Sequence, residues 1–247
     1  MLKPIGHMII TVASTGSTNN YASKQVIENE VQEGTVFLAY EQTSGRGQLN
    51  NFWESEAGKN LTFSIFLKPV FLDIHKQFML SKAVCLGLSS FLSRYTSQVK
   101  IKWPNDIYVG DRKICGVLIE NAVMNGVISQ SVIGIGLNIN QAVFRSDAPN
   151  PVSLTMITGE EYDLGETLRA LLQEIGFFYQ KLQARQFDEL DQSFHERLYR
   201  LNEWHRYEDG KHLYTGMLTG VNDMGQLQVQ EKDGLLYEYH FKEVAFL

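Results

Sequence analysis

Apolar positions along this chain recur with two different periods, and the period changes several times. From Phe78 to Tyr95 they fall at Leu80, Val84, Leu88, Phe91 and Leu92. That spacing of roughly 3.6 predicts a helix with one face on the core. The segment Glu166 to Gln186 carries the pattern most clearly, through Leu168, Leu171, Leu172, Ile175, Phe178, Tyr179 and Leu182. Asp163, with Glu166 after it, resembles a capping box for this helix. A further helix is expected over about Glu189 to Leu201. Nearer the N-terminus, Ser17-Thr18-Asn19-Asn20 offers side-chain oxygens for the free N–H groups of a first turn. A helix is therefore predicted from about Thr18 to Glu30, ending near Gly34.

Other segments read as strands. Thr35 to Glu41 and Leu61 to Lys68 are apolar, β-branched and aromatic. The polar, glycine-bearing stretch between them, Gln42 to Asn60, is longer than the usual connection of about 4–6 residues, and such loops tend to carry function. Ile101 to Val109 and Lys113 to Asn121 read as a hairpin turned at Gly110-Asp111-Arg112. Val127 to Asn140 holds another strand, around Ser131 to Gly136. After Trp204 come short alternating runs, His212–Leu218, Gln226–Glu231 and Leu235–Phe241. Turn residues, Asn222-Asp223-Met224-Gly225 and Lys232-Asp233-Gly234, separate them. The expectation is an α+β protein with a first domain over 1–204 and a small all-β domain over 205–247.

Composition narrows the class. A chain of 247 residues, 44% hydrophobic and 20% charged, has the makeup of a globular protein and not of a disordered one. The net charge of −6 disfavours a protein that lives on nucleic-acid backbone. Two cysteines, Cys85 and Cys115, give neither a disulfide framework nor metal spacing. The six histidines are scattered, so a zinc site is not expected. No apolar run reaches the roughly 18 residues of a membrane span, and Met8 to Val12 is too short for a signal-peptide core. A cytoplasmic enzyme is the expectation. P-loop, nucleophile-elbow and H-E-x-x-H motifs are missing, and Gly134-Ile135-Gly136 lacks the third glycine of a dinucleotide fingerprint.

Three segments could carry chemistry, and each has a plain reading beside it. In Thr43-Ser44-Gly45-Arg46-Gly47-Gln48, glycines let backbone amides approach an anion and Arg46 supplies a fork for phosphate or carboxylate; alone, it is also an ordinary surface loop. Lys102-Trp103-Pro104-Asn105-Asp106 presents polar groups where a strand stops, or simply ends an edge strand on a packing tryptophan. In Asp111-Arg112-Lys113-Ile114-Cys115-Gly116, Lys113 either faces solvent or aims a charge into a pocket. Gly116 within that strand suggests close approach of a ligand or another backbone.

The three segments occur in order, with Ser17-Thr18-Asn19 before them and Gly134-Ile135-Gly136-Leu137-Asn138 after. Together with Gln42, Trp53-Glu54-Ser55 and Asn60-Leu61, the set closely resembles the biotin protein ligases, the biotin–[acetyl-CoA-carboxylase] ligases. The matching pieces run from about residue 14 to 140. The resemblance implies a mixed β-sheet flanked by helices, with an SH3-like barrel appended. It also implies the short, enzyme-only type, because a start of the motif at Ser17 leaves no room for the N-terminal DNA-binding domain of regulatory members.

The implied reaction joins biotin to ATP as biotinyl-5′-AMP, then moves the biotinyl group to a lysine of a biotin carboxyl carrier domain. Biotin and ATP are substrates, Mg2+ the accompanying ion, and no prosthetic group is expected. By motif, Lys113 and Arg46 are the catalytic pair. Ser17, Thr18, Asn19, Gln42, Gly45, Arg46, Gly47, Gln48, Lys113, Gly116, Gly134 and Gly136 are the biotin-site residues. Lys102, Asn105, Asp106 and Asn138 fall near the nucleotide or its metal ion, with the roles of the first three left undivided and no metal ligand assigned. Gln48, Leu49 and Asn51 stand where other members often carry further arginines, which predicts weaker retention of the adenylate. Monomer and homodimer are both compatible with the family, and no DNA or membrane partner is expected. Two alternatives share parts of this pattern: a lipoate or octanoate ligase or transferase, and a non-catalytic biotin-binding module.

Overall fold

A computed structural model of the chain describes residues 3–47, 51–146, 150–210 and 212–247. Its centre is a seven-stranded mixed sheet. In chain order the strands are β1 (Met8–Thr15), β2 (Thr35–Gln42), β3 (Leu61–Leu67), β4 (Val99–Lys102), β5 (Asp106–Val109), β6 (Arg112–Met124) and β7 (Val127–Leu137). Across the sheet the order is β1-β2-β3-β7-β6-β5-β4. Only β1 and β2 are parallel, joined by α1 (Thr18–Glu28). The other neighbours are antiparallel.

The helices take opposite faces. On one face α1 packs against β2, β3 and β7. On the other, α2 (Phe78–Leu92) lies against β4 and β5 and is backed by α4 (Leu164–Gln183) and α5 (Phe187–Glu196). A short α3 (Leu154–Thr158) precedes them. The stripe read from the sequence of α4 is the stripe that is buried, from Leu168 to Leu182. Its expected cap forms, with the Asp163 side chain accepting from the Glu166 backbone N–H at 2.7 Å. Seven consecutive residues of β3 are buried, because both faces of this central strand are covered.

The second sheet is antiparallel, with order β11-β10-β9-β8-β12. Its strands are β8 (Trp204–Glu208), β9 (Leu213–Val221), β10 (Leu227–Glu231), β11 (Leu236–Tyr239) and β12 (Ala245–Phe246). This agrees with the small SH3-like unit expected at the C-terminus. Its apolar side, including Tyr207, Leu218 and Val229, joins the same buried cluster as Phe63 of the first sheet and Leu171 of α4. Among the described residues no helix is long and apolar enough to cross a membrane.

One expectation is corrected. Ile101 to Val109 is not one strand but two, β4 and β5, which reverse at Trp103-Pro104-Asn105 and pair Lys102 with Asp106. Pro104 has no N–H to continue a ladder, so the chain turns there. The peptide bond before it is cis. The reversal folds the polar end of the segment back over the sheet. The helix after residue 187 also ends at Glu196, earlier than Leu201.

Candidate active site

A cavity of about 410 Å³ opens on the α1 face of the sheet. Ser17, Thr18, Asn19, Gln42, Arg46, Gly47, Lys102, Asn105, Asp106, Lys113, Gly116, Gly134 and Gly136 all line it. Residues from five separate stretches of sequence therefore meet in one place. Gly45 sits just behind, against the Trp53 backbone. Gln48 lies outside the described residues. Asn138 is buried away from the cavity wall, where its Nδ2 donates to Val152 O at 3.0 Å and ties down the segment that leads into α3.

Strand register builds the floor. Asp106, Gly116 and Gly136 stand opposite one another across β5, β6 and β7. One step along, Leu118, Gly134 and Ser64 form the next row across β6, β7 and β3. Glycine is required where other groups press onto this floor. A Cβ on Gly136 would run into the indole of Trp53, and one on Gly134 into the Asn19 amide.

Trp53, matched in the sequence as part of a motif, was not assigned to the site, yet it lines the cavity. The loop after β2 doubles back, with Gly47 N–H donating to Asn51 O and Trp53 N–H donating to Gly45 O at 2.9 Å. This return lays the Trp53 ring over Gly116 and Gly136. Its Nε1 is buried without a partner among the described residues. The available signal was Trp53 itself, following a G-R-G loop and facing strands with unusual glycines. The share of the C-terminal unit in the site was also missed, since Phe241, Lys242 and Val244 to Phe246 complete the wall.

The polar slot is built around the start of α1. Ser17 is its N-cap but makes no capping bond with its side chain; Thr18 N–H instead donates to Gln42 Oε1 at 2.8 Å. Gln42 spends its carbonyl end there, so its NH2 end is the donor left to a ligand. Ser64 Oγ lies 2.8 Å from Thr18 Oγ1 and donates to Asn19 Oδ1 at 2.7 Å. Ser17, Thr18, Asn19 and Ser64 are all buried. The slot thus mixes donors and acceptors inside a largely dry wall, which suits an uncharged group with both N–H and C=O edges.

Lys102 and Lys113 line the same cavity. Lys113 Nζ lies 2.6 Å from Asp106 Oδ2 and 5.7 Å from the centre of the Trp53 ring. Lys102 Nζ sits between the rings of Tyr108 and Phe246, at 4.9 and 5.1 Å, and reaches the Tyr108 hydroxyl at 3.2 Å. Burial holds the Lys102 amine below its ordinary value of 10.5; Asp106 opposes that shift, while Arg200 and Lys113 add to it. Asn105 Nδ2 donates to Val117 O at 2.6 Å, so the turn after Trp103 is pinned to β6. Trp103 Nε1 donates to Gly225 O at 2.9 Å, which ties the same turn to the C-terminal sheet.

Thiol chemistry does not fit here. Cys85 and Cys115 are free and buried, and burial pushes Cys85 up to about 12 and Cys115 well above its ordinary range. A resident metal does not fit either: among the described residues no three of His, Cys, Asp and Glu come together, and Asp106 already pairs with Lys113. An ion in this cavity would have to arrive with an anionic ligand.

Known proteins resemble this chain in sequence and in fold. The biotin/lipoate A/B protein ligase family model matches residues 11–138. The bifunctional ligase/repressor BirA of Bacillus spizizenii is 26% identical over 225 residues, covering 89% of this chain and 68% of that protein. The biotin–[acetyl-CoA-carboxylase] ligase of Paracoccus denitrificans is 28% identical, covering 87% of this chain and 91% of that one. Among solved structures, the biotin protein ligase of Aquifex aeolicus in complex with biotin and ATP superposes with a TM-score of 0.80 at 26% identity, over 98% of this chain and 99% of that one. With more than half of its residues matched to the family model, this chain belongs to the biotin/lipoate A/B protein ligase family.

Proposed function

We propose that this protein activates biotin with ATP and transfers it to a lysine of a biotin carboxyl carrier domain. The observation that carries the reading is one cavity that brings a polar slot of Ser17, Thr18, Asn19 and Gln42 together with the cations Arg46, Lys102 and Lys113. The slot takes the ureido ring, and the cations take the carboxylate and phosphates. A lipoyl or octanoyl chain has no ureido edge to match the mixed donors and acceptors that Thr18, Asn19, Gln42 and Ser64 bring to this slot.

In the first step a biotin carboxylate oxygen attacks the α-phosphorus, the bond to the bridging oxygen breaks, and pyrophosphate leaves. The obstacle is repulsion between an anion and a polyanion. Lys113 stabilises the charge that develops between carboxylate and α-phosphate, and Asp106 keeps its ammonium in place. Arg46, on the loop, supplies a second cationic contact. The Trp53 ring and the C-terminal wall exclude water, which protects a hydrolysable acyl-adenylate. In the second step a carrier lysine, as free amine, attacks the acyl carbon. An amide forms, AMP leaves, and the amine gives up a proton.

Magnesium would arrive with the nucleotide and offset phosphate charge, since among the described residues no three His, Cys, Asp or Glu side chains come together to hold it. Lys102 and Asn105 serve the nucleotide end in this reading, Lys102 as a cation and Asn105 as a brace. The division of the chain into a catalytic unit, 1–204, and a small unit, 205–247, belongs to the same proposal. The start of the second sheet at Trp204 supports it. A cytoplasmic location and a carboxylase carrier as acceptor are likewise part of the reading.

The test is incubation with biotin, ATP, magnesium and a purified carrier domain, read by intact mass. One added biotinyl group on the carrier, absent without ATP, is expected. An unmodified carrier, beside a known ligase that modifies it, overturns the reading.

A further inference from the structure

His195 lies in the last turn of α5, where that helix meets the central strand of the C-terminal sheet. Its Nε2 accepts from the Val221 backbone N–H of β9 at 3.0 Å. A backbone N–H only donates, so this nitrogen carries a lone pair. The ring proton is therefore on Nδ1, which lies 2.8 Å from the Asp191 carbonyl oxygen. The imidazole is neutral and held in one tautomer. A Cβ on Gly220 would stand 3.0 Å from Nε2, so glycine lets β9 come this close.

Few charges face the ring. Asp191 Oδ2 lies 3.3 Å from Nδ1 and favours an imidazolium. The other oxygen of Asp191 holds Lys82 of α2, whose ammonium sits between the rings of Phe78 and Phe194 at 5.5 and 5.3 Å. Lys82 is only 1% exposed, and its charge opposes a second cation nearby. From the C-terminal sheet come the β9 backbone and, beside Gly220, the neutral amide of Gln228. Glu196 and Arg197 turn away, to Gln192 and to the Ser193 carbonyl.

The wall of the active site depends on β9, which pairs with β8 and β10. β8 carries β12, with Ala245 and Phe246, and β10 carries β11, which leads to Phe241 and Lys242. These four residues line the cavity. Other hydrogen bonds also tie this sheet to the larger unit: Trp103 Nε1 to Gly225 O, Asn202 N–H to Leu218 O, and Arg200 Nη1 to Leu247 O. Indole, amide and guanidinium donors keep their protons on acidification. An imidazole changes its charge between about pH 5 and 8. Of these ties, the one at His195 is the one that a proton can break.

We propose that neutral His195 is a positioning residue: it seats β9 and so holds the C-terminal wall against the cavity, and a proton on Nε2 unseats the strand and opens that wall. A protonated Nε2 points an N–H at the Val221 N–H, and two donors cannot bond. Once the strand is loose, water reaches the acyl-adenylate. That last step rests on the biotin ligase reading above; the joint itself does not.

Amide hydrogen exchange of Val221 in the full chain, expressed as a protection factor, is read at about pH 8 and about pH 5.5. The same protein, given biotin, ATP and magnesium without a carrier, is followed for AMP, which reports hydrolysed adenylate. On acidification the wild-type protection should fall roughly tenfold, and AMP release should rise about threefold or more. His195→Gln sets an amide oxygen near the place of Nε2 and takes up no proton, so both readings should stay within about twofold. His195→Phe accepts nothing and should match the acidified wild type at either pH; if it fails to fold, the wild type and the glutamine variant still decide. A glutamine variant that responds to acid as the wild type does assigns the response to His205, His212 or His240 of the same unit and overturns the proposal. Unchanged wild-type protection overturns it as well. Protection lost without a rise in AMP keeps the joint and overturns its hold on the wall. Protein that makes no AMP at either pH, with Val221 behaving as predicted, overturns the ligase reading and leaves the joint standing.

Discussion

Lys113 and Asp106 face each other across β5 and β6, with Nζ and Oδ2 2.6 Å apart and Gly116 directly opposite Asp106 in the ladder. Each side chain is about a quarter exposed, at 27%. The pair is held by two strands and not by a loop, so the cation has a fixed address before any ligand binds. Lys113→Ala should abolish adenylate formation without loss of fold. A contact of this type contributes on the order of 2–4 kcal/mol in the transition state, or about 10²–10³ in rate. Biotin-dependent adenylate formation in single turnover measures it, and near-normal turnover removes Lys113 from the mechanism.

Trp53 and Gly136 give a graded packing test. Gly136→Ala sets a methyl against the indole, whereas Gly116→Ala meets the same ring at 3.1 Å, where a small shift suffices. Gly136→Ala should weaken biotin binding at least tenfold, about 1.4 kcal/mol, and Gly116→Ala by less. Adding Trp53→Ala to Gly136→Ala should recover the melting temperature lost to overpacking, which costs about 1–3 kcal/mol, but not biotin affinity. Equal affinities for the two glycine variants would contradict the account of the floor.

Lys102 gives a prediction in pH. Burial favours its neutral form in the folded protein, so it loses its proton at a lower pH than an ordinary lysine. Between that lowered value and 10.5 the unfolded chain holds more protons at this site. This residue's contribution to stability therefore rises with pH across that window. Activity runs the opposite way, since the phosphates need the charged form. The alkaline limb of adenylate formation should begin early, and Lys102→Arg, which stays charged, should move it to higher pH. An alkaline limb that does not move in that variant rules Lys102 out as the titrating cation.

Position 48 lies outside the described residues, so the prediction there rests on sequence. Glutamine stands in the loop where arginine-rich members have another guanidinium. Gln48→Arg should slow dissociation of biotinyl-5′-AMP, measured by chasing labelled adenylate with unlabelled biotin. Unchanged dissociation would mean that the single arginine of this loop already retains the intermediate.

Much of this was legible in the sequence, and the exceptions have physical causes. The buried stripe of α4 and the paired β6 and β7 are set by local periodicity, so they could be read directly. The reversal at Pro104 could not, because apolar residues flank it on both sides and resemble one long strand. β1 was hidden for another reason: it is an edge strand with Met8, Ile9 and Thr11 partly exposed, so its pattern does not alternate cleanly. β8 and β12 exist only through pairing with each other and with β9, which no local signal records. The site residues were found through ordered motifs. Trp53 was noted as part of a motif but not placed in the site, because its position depends on the return of a long loop, and Asn138 braces backbone behind the cavity.

The central claim is that Lys113 and the polar slot serve one reaction, the joining of biotin to the α-phosphate of ATP. Exchange of labelled pyrophosphate into ATP, run with biotin and separately with lipoate and octanoate, measures that step without any acceptor. Exchange with biotin alone, lost in Lys113→Ala, is the predicted result. Exchange driven equally by lipoate or octanoate, or biotin-driven exchange that survives the substitution, would contradict it.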